Sequence, residues 1–178
     1  MNTYGFNLTP MISKDKIQSR LKEIADAISE EYKDEVPIFI GVLNGSFIVM
    51  ADLLRYMTID CEMDFIKVSS YAKTESTGTV RLLKDISADI TNRHVIIVED
   101  IIDSGLTISF LKERLEGASP KSLSFVTLLI KPDITSLDFP IDHIGFEIPP
   151  EFVVGYGLDY DQKLRHLPEI YRLEGNLK

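Results

Sequence analysis

The chain has a single cysteine and only three histidines among its 178 residues. One cysteine, Cys61, excludes a disulfide bond within the chain, and so few thiol and imidazole groups disfavour a zinc site. Any metal that this chain binds is therefore expected to be a hard cation held by oxygen ligands.

The chain also lacks a long apolar run and an excess of positive charge. No stretch approaches the roughly 18 consecutive apolar residues of a membrane span, and the opening MNTYGFNLTP lacks the basic and apolar regions of a secretory signal. We expect a soluble, cytoplasmic protein without membrane contact. The formal net charge of −9 argues against nucleic acid as a partner, because such binding usually needs a basic surface. A phosphorylated substrate would need backbone N–H groups, a few basic side chains and divalent cations to overcome the repulsion.

The length and composition limit the architecture. With 178 residues, of which 44% are hydrophobic, the chain can bury one well-packed core but is short for two ordinary domains. We therefore expect one domain over residues 1–178.

Apolar residues recur with helical spacing in some segments and with strand-like spacing in others. Helices are predicted at about 13–33, where Ser13 can cap the first turn, at 47–56, and after 107, where Ile108, Leu111 and Leu115 share one face. Strands are predicted at 36–43, 59–65, 94–98, 124–130 and 143–148, with a short one within 152–156. The polar stretch 69–79, SSYAKTESTGT, predicts a long mobile loop.

Strands that alternate with helices indicate an α/β domain with a mostly parallel central sheet flanked by helices. In such sheets, ligands bind beyond the carboxyl ends of the strands. Three segments meet that criterion: 43–46, 99–107, and Lys131 with the residues after it.

The most informative segment is 94–111, HVIIVEDIIDSGLTISFL. A buried strand is followed by two carboxylates, and a turn with the sequence DSG opens a helix. The N–H groups of residues 104–107 are free at the helix start, Gly105 lets a ligand approach the backbone, and Ser104 and Thr107 add hydroxyl donors. This arrangement predicts a cradle for a phosphate monoester, and it matches neither a Walker A loop nor a GxGxxG turn.

Three carboxylates, Glu99, Asp100 and Asp103, accompany this predicted phosphate site. Like charges about 4 Å apart repel by roughly 4 kcal/mol at an effective dielectric constant of 20, so the pattern indicates a cation. Mg²⁺ can take carboxylate, hydroxyl and phosphate oxygens together, which leaves Asp103 free for proton chemistry. The alternative is structural: Asp103 and Ser104 cap the helix, and Glu99 and Asp100 form a solvated turn.

The segment VIIVEDIIDSGLT resembles the phosphoribosyl-pyrophosphate loop of type I phosphoribosyltransferases, and in detail that of their hypoxanthine-guanine branch. The resemblance continues in LNGSFIVMADLLR, SSYAKTESTG, LLIKP and GFEIPPEFVVGYGLDYDQKLRHLPEIY, so it covers nearly all of residues 37–171. It implies the type I fold, with a core over about 36–140 and a small hood from about 1–12 and 141–178.

The activity implied by this resemblance belongs to purine salvage. The enzyme would transfer the 5-phosphoribosyl group from phosphoribosyl pyrophosphate to hypoxanthine or guanine, giving IMP or GMP and pyrophosphate. Mg²⁺ would be the cofactor, and the chain would act as a homodimer or homotetramer.

The resemblance also implies roles for individual residues. The phosphoribosyl group would be bound by Glu99, Asp100, Asp103, Ser104, Gly105, Leu106 and Thr107, and Asp103 would be the general base near purine N7. The purine would contact Lys131 through its exocyclic oxygen, Phe152 by stacking, the backbone of Val153, and Asp159. The Mg²⁺ ligands would be Glu99, Asp100 and, for a second ion, Asp159.

Pyrophosphate would be contacted by Asn44, Gly45 and Arg165, and Ser70 and Tyr71 would belong to a lid. Many relatives carry a basic residue where this chain has Asn44, so the contact there is implied to be made mainly by backbone N–H groups beside a non-proline cis peptide. Leu106 also stands where some relatives are basic. Both differences weaken the local positive field, and Asn44-Gly45 is also consistent with a simple tight turn.

Two other functions compete with this one. A regulatory homologue that binds nucleotide or RNA without catalysis is disfavoured by the acidic charge and by the absence of a basic stripe. An enzyme of the same fold that acts on orotate, uracil or adenine is disfavoured by Lys131 and by the segment FVVGYGLDYD.

Overall fold

The computed structural model describes residues 2–3, 6–71 and 79–174. Its helices are α1 (Lys14–Glu31), α2 (Phe47–Tyr56) and α3 (Leu106–Glu116). Its strands are β1 (Asn2–Thr3), β2 (Phe6–Ile12), β3 (Ile38–Leu43), β4 (Glu62–Tyr71), β5 (Thr79–Lys84), β6 (His94–Ile102), β7 (Ser122–Ile130), β8 (His143–Glu147), β9 (Val153–Val154) and β10 (Ile170–Glu174). No helix within these residues is both long and apolar enough to cross a membrane.

Six strands form a central sheet in the order β5-β4-β3-β6-β7-β8. Neighbouring strands are parallel, except that β5 pairs antiparallel with β4 at the edge. The predicted α/β architecture around a mostly parallel sheet is confirmed.

Helices cover both faces of this sheet. One apolar cluster joins α1 and α2 to Phe39 and Ile96, and a second joins α3 to Ile38 and Ile97. Successive strand residues point to opposite faces, so β3 and β6 need apolar side chains at nearly every position. The residues that α3 buries are the three that were predicted to share its apolar face.

Strand β6 is longer than its apolar run predicts. Pairing with β7 continues from His94↔Ser122 through Glu99↔Thr127 to Ile102↔Ile130. The interpretation of Glu99 and Asp100 as a solvated turn is therefore wrong, because both lie within a strand and Glu99 is only 6% exposed.

A second, antiparallel sheet has the order β1-β2-β10-β9 and joins the two ends of the chain. It has an apolar cluster of its own, formed by Leu8, Val154, Leu164, Leu167 and Leu173. Strand β8 falls within the stretch assigned to the hood from the sequence, but it pairs with β7 in the central sheet.

The predicted loop at 69–79 is shorter at both ends than expected. Residues 69–71 belong to β4, and Thr79 begins β5, with Tyr71↔Thr79 as one register pair. Residues 72–78 lie outside the described residues.

Candidate functional site

A cavity of about 290 Å³ opens beyond the carboxyl ends of β3, β6 and β7, where the second sheet approaches the central one. Its lining brings together most of the polar residues that the sequence singled out: Asn44, Gly45, Glu99, Asp100, Asp103, Thr107, Lys131, Asp159 and Arg165. Phe152 and Val153 complete one wall. The site therefore lies where ligands bind in open parallel sheets.

A smaller recess of about 240 Å³ adjoins this cavity and is lined by residues 99–108, including Ser104, Gly105 and Leu106. Helix α3 begins there with Gly105 as its N-cap, at a φ of 88°. The Leu106 N–H donates weakly to Ser104 Oγ at 3.5 Å, a local contact of the kind that the structural alternative expected of Ser104. A helix start with N–H groups that have no intrahelical partner favours an anion such as phosphate. The capping interpretation of Asp103 is not supported, because Asp103 precedes the N-cap and its carboxylate pairs with Lys131 instead.

Lys131 and Asp103 form an ion pair between the ends of two neighbouring strands. Lys131 Nζ lies 2.7 Å from Asp103 Oδ1, and the exposed fractions of the two side chains are 9% and 54%. Lysine is rarely buried without a partner, so this carboxylate compensates a cation that is largely removed from water. The pair presents a donor and an acceptor side by side to the cavity.

Thr135 links the backbones of the two partners and was not identified from the sequence. Its hydroxyl oxygen lies 2.5 Å from the carbonyl oxygen of Asp103 and 2.8 Å from that of Lys131. The loop after β7 also donates from the Ser136 N–H to the carbonyl of Ser104. In the sequence, the only indication of this role was a hydroxyl residue four positions after the lysine, and that indication is weak.

Glu99 and Asp100 are acidic groups in an environment that disfavours their charge. Desolvation raises the pKa of Glu99 well above its ordinary value, and the neighbouring Asp100 raises it further. Desolvation also raises the pKa of Asp100 to about 6, with Asp159 adding to the rise while backbone N–H groups and Arg165 oppose it. The Oε2 atom of Glu99 is buried and has no hydrogen-bond partner among the described residues, whereas a buried carboxylate oxygen normally has one.

Gly45 lies against the carboxylate of Asp100. A Cβ atom added at Gly45 would lie 1.7 Å from Asp100 Oδ2, so any larger residue here would displace the Asp100 carboxylate. The peptide bond between Leu43 and Asn44 is cis, as the family resemblance implied.

Arg165 and Asp159 form the opposite wall of the cavity. Arg165 Nη2 lies 2.8 Å from Asp159 Oδ1, and Arg165 Nη1 donates to the carbonyl oxygen of Gly157. The second oxygen of Asp159 accepts from the N–H of Gln162 at 2.8 Å. Both Asp159 oxygens therefore have protein partners.

Phe152 lies at the mouth of the cavity with 41% of its surface exposed, and its ring meets Tyr160 edge to face at a centroid distance of 6.0 Å. It is therefore not a core residue. Val153 is buried beside it in β9. Leu106, 48% exposed, lies in the recess at the start of α3.

Some predicted residues are not in the cavity, and some cavity residues were not predicted. Ser70 and Tyr71 end β4, and their side chains lie outside the described part of the structure. Val68, Ile101 and Leu158 supply apolar walls that only the folded arrangement identifies. Within the described residues, no group of three acidic, histidine or cysteine side chains is close enough to hold a metal by itself.

Comparison with known proteins gives concordant matches. The phosphoribosyl transferase domain family matches residues 13–161. A hypoxanthine-guanine phosphoribosyltransferase from Bacillus subtilis is 46% identical over 161 residues, which is 90% of this chain and 89% of that protein. A hypoxanthine phosphoribosyltransferase from Escherichia coli is 48% identical over 163 residues, 90% of this chain and 92% of that protein. The structure of a Trypanosoma cruzi hypoxanthine phosphoribosyltransferase in complex with the product IMP superposes with a TM-score of 0.89 at 36% identity, covering all of both chains.

Proposed function

The chain belongs to the phosphoribosyltransferase family, and from this membership we propose that it is a purine salvage enzyme. It transfers the 5-phosphoribosyl group from phosphoribosyl pyrophosphate to hypoxanthine or guanine. The products are IMP or GMP and pyrophosphate. The alternative of a regulatory homologue that binds RNA gains no support, since the relatives are named as transferases and the net charge is −9.

One observation carries this proposal: Lys131 and Asp103 face the same cavity 2.7 Å apart. A 6-oxopurine with a proton on N7 has, along one edge, a carbonyl acceptor at position 6 beside an N–H donor. The ammonium of Lys131 complements the acceptor, and the carboxylate of Asp103 complements the donor. The ion pair is therefore complementary to that edge of the purine in its hydrogen-bond donors and acceptors.

The same pair disfavours adenine. An amino group at position 6 would place a donor against the ammonium of Lys131, which has no acceptor capacity. A buried donor left without a partner costs about 1–3 kcal/mol, and sites of this kind discriminate strongly against substrates that lack the expected group.

The phosphoribosyl group would lie along residues 99–107. The N–H groups at the start of α3, with the hydroxyls of Ser104 and Thr107, would bind the 5′-phosphate, and Leu106 would contribute its backbone. Glu99 and Asp100 would bind the ribose hydroxyls, which supply the partner that Glu99 Oε2 lacks.

Mg²⁺ fits this set of donors, with Glu99 and Asp100 as ligands on one side and Asp159 on the other. The cavity holds four carboxylates against two cations, so an anionic substrate needs further positive charge. Because Mg²⁺ typically takes one or two carboxylates together with substrate oxygens and water, the lack of a three-carboxylate group within the described residues is compatible with it. When bound, the ion would supply charge neutralisation at the leaving pyrophosphate.

Arg165, Asn44 and Gly45 would contact the pyrophosphate. Among the described residues, Arg165 and Lys131 are the only cations in the cavity lining, and Asn44 brings no charge, so backbone N–H groups carry more of the pyrophosphate contact. Asp159 holds Arg165 in place through the 2.8 Å ion pair.

In the transfer step, purine N9 forms a bond to C1 of the ribose while the bond from C1 to the pyrophosphate oxygen breaks. The bonding electrons leave with pyrophosphate, whose growing charge Arg165 stabilises. Asp103 accepts the N7 proton as the ring loses electron density. Phe152 would stack on the base, and the backbone of Val153 would read its remaining edge.

Ser70 and Tyr71 are proposed to belong to a lid that excludes water during the reaction. Amide exchange over residues 69–79 is expected to slow when a transition-state analogue binds, and equal protection in the free and bound enzyme would contradict a lid.

We further propose that the protein is a homodimer or homotetramer in the cytoplasm. Analytical ultracentrifugation of the purified protein would test its assembly state.

A spectrophotometric assay tests the proposed function. Hypoxanthine, guanine, xanthine and adenine would each be supplied with phosphoribosyl pyrophosphate and Mg²⁺. We expect nucleotide formation from hypoxanthine or guanine and none from adenine. Failure to convert any 6-oxopurine would overturn the proposal.

A further inference from the structure

Tyr156 lies outside the cavity lining, and its hydroxyl is the centre of a buried hydrogen-bond cluster. The residue follows β9 and is 3% exposed. Its hydroxyl donates to the carboxylate of Asp52 in α2 and accepts from Gln18 Nε2 of α1 at 2.9 Å. Gln18 also donates to Asp52 Oδ2 at 2.8 Å and accepts from the hydroxyl of Tyr56. One side chain of the turn that follows β9 is thus tied to both helices on one face of the central sheet.

The charge and burial of this cluster favour a fixed arrangement. Burial and the neighbouring Asp52 raise the pKa of the Tyr156 hydroxyl far above its ordinary value, so the hydroxyl stays a neutral donor. The Asp52 side chain is 19% exposed and is also paired with Arg55, which is 73% exposed. Of these contacts, only the one with Tyr156 connects Asp52 to the turn that follows β9.

The backbone at Tyr156 has a conformation that needs support. Its φ of 51° lies in the left-handed region, between Gly155 at 96° and Gly157 at 101°. A bulky residue rarely adopts this conformation unless its surroundings hold it there. The N–H of Tyr156 donates to the carbonyl of Leu167, and that of Gly157 donates to the carbonyl of Arg165.

This turn contacts the catalytic region directly. A Cβ atom added at Gly157 would lie 2.0 Å from the carbonyl oxygen of Gly45, so the two backbones are in close contact. Gly45 in turn lies against Asp100, and α2, which carries Asp52, begins two residues after Gly45. The turn is therefore attached to α2 at two points, through Gly157 near the helix start and through Tyr156 two turns further on.

We propose that Tyr156, Asp52 and Gln18 form a positioning cluster for the transfer reaction. It holds the turn at 155–159 against Gly45, and so fixes the distance between Gly45 and the wall that carries Asp159 and Arg165. None of the three residues lines the cavity, so each acts through the residues that it holds. The kinetic consequence rests on the proposed function.

Tyr156→Phe tests the proposal, because it removes the hydroxyl and keeps the ring. Tyr32→Phe is the matched control: Tyr32 is 5% exposed, its hydroxyl lies 2.9 Å from Ser124 Oγ, and it lines neither recess. Both variants should lower the melting temperature. Only Tyr156→Phe should lower kcat/KM for hypoxanthine, by about 10–100-fold, since small displacements of positioning groups have large effects on rate.

A second pair of variants separates positioning from a general loss of packing. Asp52→Asn keeps an acceptor for the Tyr156 hydroxyl and should retain most activity, whereas Asp52→Ala should match Tyr156→Phe. The double variant Asp52→Ala/Tyr156→Phe should have a kcat/KM no lower than that of either single variant, because the two single variants and the double variant break the same contact. Additive losses, or a kcat/KM for Tyr156→Phe within about twofold of Tyr32→Phe, would overturn the positioning role.

Amide exchange gives a readout that does not depend on activity. Exchange at residues 155–158 should be faster in Tyr156→Phe than in Tyr32→Phe, and Gln18→Ala should show the same change to a smaller degree. Equal exchange in the three proteins would refute the cluster. A wild-type protein inactive with every purine base would instead overturn the proposed function, and the exchange comparison would still decide whether the cluster holds the turn.

Discussion

The ammonium of Lys131 lies 2.7 Å from the carboxylate of Asp103, and this contact joins the ends of two neighbouring parallel strands. Lys131 follows β7 and Asp103 follows β6, so the pairing of the strands itself brings the opposite charges together. The lysine is buried and the aspartate is half exposed. The pair therefore gives the buried ammonium a partner while the aspartate stays accessible to a ligand.

Lys131→Met should weaken the discrimination between 6-oxopurines and adenine. Methionine keeps the length of the side chain but cannot donate to the oxygen at position 6. We expect kcat/KM for hypoxanthine to fall by roughly 10–100-fold, with a smaller change for any residual turnover of adenine. Steady-state kinetics with both bases measure the ratio. Lys121→Met, which removes a lysine paired with Glu35 away from the cavity, is the control, and an unchanged ratio in Lys131→Met would rule out a selective role.

The elements that the sequence predicted well have strong local signals. Helix α2 covers the predicted 47–56, and α3 buries the predicted face. The helix start at Gly105 and the position of Lys131 after a strand were also predicted, because a glycine at a helix start and a polar residue after a buried strand are local patterns. The contact between Asp103 and Lys131 follows from the parallel pairing of β6 with β7.

The elements that were missed depend on distant parts of the chain. Strands β2 and β10 pair across the whole chain length, with Ile12 opposite Ile170, and neither has a clear alternation of apolar residues. Pro10 lies within β2 and pairs with Tyr171 of β10, beyond the β2 residues that pair with β1. The contacts of Thr135 and the cluster around Tyr156 are hydrogen bonds formed in the folded protein. Such hydrogen bonds produce no periodic pattern in the sequence.

Removal of divalent cations should abolish product formation. The cavity carries four carboxylates, so a pyrophosphorylated sugar cannot bind there without further positive charge. Excess EDTA should reduce the rate to the background, and added Mg²⁺ should restore it. Full activity in excess EDTA would contradict the metal requirement, and a circular dichroism spectrum in EDTA would establish that the fold is retained.

Asp100→Asn should stabilise the free protein at neutral pH. The pKa of Asp100 is raised from 3.8 to about 6, so the folded protein binds this proton more tightly than the unfolded chain does. The contribution of Asp100 to stability is therefore complete below about pH 4 and is lost as the pH rises through 6. Asparagine resembles the neutral form at every pH. We expect the free energy of unfolding of the variant to exceed that of wild type at pH 8 by on the order of 1–3 kcal/mol, and to be similar at pH 4.

Urea denaturation at the two pH values measures this difference. Asp89→Asn is a control of opposite sign, because the Thr91 backbone N–H lowers the pKa of Asp89 and so makes the charged form the favourable one. That variant should be less stable than wild type at pH 8, with the difference shrinking in acid. A stability gap for Asp100→Asn that is the same at both pH values would contradict the desolvation argument.

Asp103→Asn should separate proton transfer from structural support. Asparagine keeps the shape and much of the hydrogen bonding but cannot accept a proton at neutral pH. General-base contributions are typically about 10²–10⁴-fold, so the loss should be in kcat, with little change in the affinity for phosphoribosyl pyrophosphate. Because Asp103 compensates the buried Lys131, the free energy of unfolding should also fall, by about 1–3 kcal/mol.

Asp133→Asn makes the same change of charge at an exposed position in the loop after Lys131, and should leave both kcat and stability near wild type. Thermal denaturation, substrate affinity and kcat, measured on the two variants, distinguish the possible roles of Asp103. A role limited to compensating Lys131 predicts lower stability with nearly normal turnover, whereas a general base predicts loss of turnover at a folded, substrate-saturated site. A kcat within a few-fold of wild type would remove Asp103 from the chemical step, even if the protein were less stable.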